Sequence, residues 1–116
     1  RTMHIPAQAN SWEDSAWSCG VIIDNRVLFT SDTRYDPVLI KSYFEIFDFD
    51  AIFHDCQLFT GGVHAGISEL KKLPKKIKRR IHLMHYGDNW KKHTDKISEY
   101  GFAGLAKQWH FYDFKA

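Results

Sequence analysis

Three stretches of this 116-residue chain put potential metal ligands at or just past apolar, strand-like runs: His4 in RTMHIPAQ, Asp32 in LFTSDTRYD and His85 in IHLMHYGDNW. Loops at strand ends are where a rigid scaffold presents its chemistry. Two imidazoles and a carboxylate suit a zinc, iron or manganese ion, with zinc the expected one. They are too few to close a site, so they read as half of a metal centre. Plainer readings stand beside this one. His4 near a chain end can be a solvated histidine, Asp32 a turn or cap residue, and His85 a hydrogen-bonded core histidine.

The elements that must position these residues follow from hydrophobic spacing and turn chemistry. Residues 1–17 read as an extended entry and a loop, with Trp12 and Trp17 either lining a pocket or covering an edge. Cys19–Ile23 and Val27–Thr30 are β-rich runs, and Asp24-Asn25 between them predicts a tight hairpin. Asp36-Pro37 is an N-cap followed by proline at the first helical position, which predicts a helix over 37–46. Ala51–Phe53 reads as a short buried strand running into His54-Asp55-Cys56. A helix is predicted over about 64–72, ended by Pro74. Ile81–Met84 is the next strand, residues 90–99 are helical with Gly101 as the stop, and Trp109–Phe114 alternates as a last strand. Strand and helix alternation gives an α/β layered domain, with residues 1–116 as one unit.

Composition bounds the function. The chain is 44% hydrophobic and 16% aromatic, a globular balance with material for a core. A formal charge of +2 gives no argument for nucleic acid or a membrane. The basic stretch KKIKRR at 75–80 is either a nucleic-acid contact or, by preference, a solvated turn before a strand. No apolar run approaches the roughly 20 residues of a membrane span, and no signal-peptide pattern opens the chain. Cys19 and Cys56 read by default as free thiols, with a disulfide between them as the lesser alternative, and the cytoplasm is the expected compartment.

The order of these features resembles the C-terminal half of a metallo-β-lactamase-fold hydrolase. A lone histidine precedes a hairpin, the hairpin ends in an SDT turn, a strand ends in an acidic residue, a VHA turn opens a helix, and a strand ends in LMHYG. The resemblance implies half of an αββα sandwich. It implies His4 as a ligand of a first metal, Asp32 as the carboxylate bridging two metals, and His85 as a ligand of the second. Two cations lower the pKa of a shared water and clamp a substrate oxygen. Asp55 and His64 resemble the acid–histidine pair of the tRNA 3′-processing nuclease and phosphodiesterase branch, in which the histidine protonates a leaving oxygen and the carboxylate orients it. The HxHxDH cluster of that family's N-terminal half does not occur in this sequence.

The expectation is therefore a metal-dependent phosphodiester hydrolase, incomplete as an isolated chain, acting on a phosphodiester or other small molecule. The rival reading is a catalytically silent half-domain that works by self-association or with a partner chain, because exposed strand edges invite pairing.

Overall fold

The computed structural model describes residues 2–4, 13–14 and 16–114, with the side chains of 2–4 excepted. Trp12 lies outside the described residues. Strands β1 (Thr2–His4) and β2 (Ala16–Ser18) pair antiparallel, with His4 opposite Ala16. The entry segment thus contains a two-stranded ribbon where an extended arm and a loop are expected.

β3 (Val21–Ile23) and β4 (Val27–Phe29) form the expected hairpin. Asp24 and Asn25 both take left-handed backbone angles, φ 50° and 56°. Short polar side chains tolerate that region, and the turn closes with Arg26 N–H donating to Ile23 O at 2.9 Å. Helix α1 (Pro37–Phe47) begins where the sequence signals it: Leu39 N–H donates to Asp36 Oδ1 at 3.1 Å, and Pro37 occupies the first turn without wasting a donor. It stops at Asp48, whose φ of 45° ends the helical run.

β5 (Ala51–Asp55) is longer than the sequence suggests, because His54 and Asp55 stay in register with β6 (Ile81–Met84). The helix expected over 64–72 shrinks to α2 (Ile67–Leu70), with Gly66 still extended at its N-cap. α2 has already stopped at Leu70, with Lys71 as its C-cap, so Pro74 does not end it and instead stands at the start of the next helix. It caps α3 (Lys75–Lys78), which buries Ile77. The basic stretch is thus a short helix pinned by its one apolar residue, in place of a solvated turn. A 3₁₀ turn (Trp90–His93) leads into α4 (Thr94–Glu99), and Gly101 with φ 87° turns the chain out of it. The edge strand is β7 (Gly104–Leu105), and 109–114 is not a strand. Trp109 sits at φ 63°, which breaks the extended run that alternation predicts there.

The main sheet has the order β3-β4-β5-β6-β7, antiparallel between β3 and β4 and parallel elsewhere. Parallel neighbours need crossovers, and α1, the α2–α3 pair and α4 lie between the parallel strands. Their apolar residues Ile40, Phe44, Leu70, Ile77 and Ile97 join Leu28, Ile52, Ile81 and Leu83 of the strands in one core. The α/β layering expected from the sequence is present as this mixed α/β arrangement. On the other sheet face Val21, Ile23 and Phe29 are exposed by 52%, 51% and 41%. Phe114 lines a cavity of about 390 Å³ there with Ile23, Val27, Phe29 and Phe53. No helix among the described residues is long and apolar enough to cross a membrane.

Candidate functional site

Parallel strands all end at one edge of their sheet, and in open α/β sheets that edge is where ligands bind. Here β4, β5 and β6 deliver Asp32, Asp55 and His85 to the same edge. Asp55 is the hub. Its side chain is 1% exposed, so its carboxylate depends on partners for the hydration it has lost. Oδ2 accepts from Thr33 N–H at 2.8 Å and lies 2.6 Å from His64 Nδ1, while Oδ1 lies 3.1 Å from His85 Nδ1. The backbone N–H of Asp55 donates to Thr30 Oγ1 at 3.0 Å, which holds the strand end in place.

His85 joins the buried acid to the surface. Its Nδ1 also stands 3.5 Å from Asp32 Oδ1, and both side chains are about half exposed. The His85 backbone is at φ 64°, a costly region for a residue with a Cβ, and such strain clusters at functional sites. The rings of His64 and His85 meet edge-on, 4.6 Å between centroids. One ligand atom from each of Asp32, Asp55, His64 and His85 lies within 4.8 Å of the others. Two carboxylates and two imidazoles at that spacing form a donor set suited to a zinc, iron or manganese ion.

Four of the five residues singled out by the sequence therefore stand together. The fifth, His4, is in β1, whose side chains lie outside the described residues. Its ribbon is tied to the same corner: Ser18 Oγ of β2 donates to Asp32 O and Ser31 Oγ to Cys19 O, both at 2.7 Å. Thr30 and Thr33, which hold Asp55 from behind, carry no signal in the sequence beyond flanking Asp32. His82 turns away from the cluster and stacks on Phe53, 5.1 Å between ring centroids.

The residues flanking Asp55 are shaped by burial. His54 is 1% exposed, and desolvation lowers its imidazole pKa below the ordinary 6.5. Its Nδ1 lies 2.7 Å from Asp55 O, and since a carbonyl only accepts, that nitrogen carries the proton. Burial, reinforced by the Asp55 charge, pushes the Cys56 thiol up to about 12. Cys56 is a core thiol in contact with Gln57 O at 3.6 Å.

A family model described as Anti-Pycsar protein Apyc1 matches residues 1–112. A protein of that name from Bacillus phage vB_BsuM-Goe3 is 42% identical over 89 residues, covering 73% of this chain and 34% of the relative. One from Paenibacillus harenae is 35% identical over 88 residues, covering 75% and 33%. One from Paenibacillus xerothermodurans is 29% identical over 112 residues, covering 96% and 42%. The chain spans about a third of the length of the phage relatives it matches. These matches overturn the family expected from motif order. They identify Anti-Pycsar protein Apyc1 where the sequence reading named metallo-β-lactamase-fold hydrolases, and the phosphodiester-hydrolase assignment with its zinc-hydrolase description is withdrawn. Each signal behind that reading was a short strand-end or turn motif, and turn chemistry recurs wherever a strand must stop.

Proposed function

The chain belongs to the Anti-Pycsar protein Apyc1 family, and from that premise we propose that it opposes Pycsar as an associating half-site for a small anionic molecule, silent in catalysis on its own. The observation that carries the reading is the cluster of Asp32, Asp55, His64 and His85 at one sheet edge. In this proposal the cluster holds a divalent metal ion, zinc foremost, and His4 adds to it from the neighbouring ribbon. The ion supplies positive charge for an anionic ligand. Asp55 orients the His64 ring through Nδ1, and His64 meets the ligand. Asp32 and His85, half exposed, form the rim that faces it.

Association is supported by the second sheet face, where Val21, Ile23 and Phe29 stay exposed. A contiguous apolar surface of this kind marks an interaction site. The proposed compartment is the cytoplasm, where both thiols remain free.

The test is a cobalt(II) titration followed by visible absorption. The chain should develop ligand-field bands that Asp55→Asn and His85→Ala weaken by at least tenfold in apparent affinity, the range seen for lost ligands and their supports. Bands unchanged in both variants would sink the site assignment.

A further inference from the structure

The connection from β5 to α2 carries His64 and has little apolar material of its own. Leu58 is buried, but Phe59 is 63% exposed and the Gly61–Gly62 pair is open. At its base Gln57 N–H donates to Ala65 O at 2.8 Å and Ile67 N–H to Gln57 O at 3.0 Å, so the loop closes on itself. Inside that ring sits the Gln57 side chain, 6% exposed. Its Nε2 donates to Gly61 O at 2.9 Å and to Phe59 O at 3.3 Å, and its Oε1 accepts from the backbone N–H of His64 at 3.3 Å. The amide orientation is dictated by these partners, because the reverse would set oxygen against two carbonyls and nitrogen against an N–H.

We propose that Gln57 is the positioning residue of the site: its amide sets the loop so that His64 Nδ1 meets Asp55. This rests on the reading of Asp32, Asp55, His64 and His85 as a metal and ligand site. The amide occupies the centre of the loop, where backbone groups otherwise have no sheet or helix to bond to. Gly62 is shaped around it. A Cβ there would stand 2.7 Å from Gln57 Oε1, and its φ of 124° disfavours any side chain. From Gly61 the path runs through the His64 N–H to the His64 ring and so to Asp55, while Ala65 N–H ties the far side to Thr33 O at 2.9 Å. The Thr33 N–H itself donates to Asp55, so the segment after β4 ties Asp55 and the His64 loop to one another as well.

A double-substitution cycle of Gln57→Met and His64→Ala, read by cobalt(II) affinity, separates positioning from general stability. Methionine keeps length and volume but removes all three polar contacts. Gln57→Met should weaken cobalt(II) by about 10–100-fold, as supports of metal ligands do, and should cost little more once His64 is already alanine. Nitrogen-detected NMR of the imidazoles should show the His64 signals displaced or broadened in Gln57→Met while those of His82, on the opposite sheet face, stay put. Equal losses in both backgrounds, or an unmoved His64 ring, would overturn the proposal. Failure of the unsubstituted chain to bind cobalt(II) would instead overturn the metal-site reading, and the imidazole spectra would still decide the role of Gln57.

Discussion

Asp55 concentrates the physics of the site in one side chain. It is buried, yet it faces a backbone N–H and two imidazoles, all of them lost together when the carboxylate is removed. Asp55→Ala should therefore lower unfolding free energy in urea titrations by about 1–3 kcal/mol, the cost of leaving the buried Thr33 N–H without its acceptor, since the two imidazoles reach solvent. A variant as stable as the parent would mean that solvent enters this corner freely. Behind it, His54 makes stability pH-dependent. Its folded pKa lies below the unfolded 6.5, so the folded state binds fewer protons. The stability this contributes is present above pH 6.5 and drains away as pH falls through 6.5 toward the folded value. His54→Asn keeps a donor near the Nδ1 position and cannot titrate. It should flatten the decline of the urea midpoint between pH 7 and 5, and an equally steep decline would assign the loss to other groups.

Short elements here are held by single residues. Helix α3 has four residues, too few to persist alone, and Ile77 at 1% exposure is its anchor. Ile77→Ala should cost roughly 2–5 kcal/mol, whereas Lys76→Ala should fall within about 0.5 kcal/mol of neutral, the usual result on a solvated face. Denaturant midpoints of the two variants check this, and similar effects would mean that the basic residues hold α3. At α1 the cap is separable from the core. Asp36→Ala should cost about 0.5–2 kcal/mol, because the Leu39 N–H loses its acceptor while Ile40 and Phe44 stay buried.

On the scale of the molecule, the two sheet faces differ in kind. One is closed by helices, and the other presents Val21, Ile23 and Phe29 to solvent. The chain should associate at tens of micromolar by light scattering, and Ile23→Lys with Phe29→Lys should shift it toward monomer without loss of helical circular dichroism. A parent chain that is monomeric throughout that range would remove the association half of the proposed function.

Local signals in the sequence determined most elements. The left-handed turn at Asp24-Asn25, the Asp36-Pro37 cap, the stop at Gly101 and the apolar run of β6 are written in residues that act on their immediate neighbours. Elements that depend on distant contacts were not legible. β7 has two residues and exists because Leu83 pairs with Leu105, and Trp109 breaks a run whose alternation reads as strand. α3 hides in a basic stretch because burial of a lone isoleucine outweighs the five cations around it. In the site, residue types at strand ends marked Asp32 and His85, since carboxylates and imidazoles there are visible in one dimension, whereas Asp55 and His64 stood out only through the resemblance in motif order. Their meeting within 4.8 Å was decided by the tertiary structure, through parallel registers that bring separate strand ends to one edge. The supporting contacts of Thr30, Thr33 and Gln57 likewise belong to the tertiary structure, because a hydrogen bond to a loop backbone leaves no periodicity or spacing for a sequence to display.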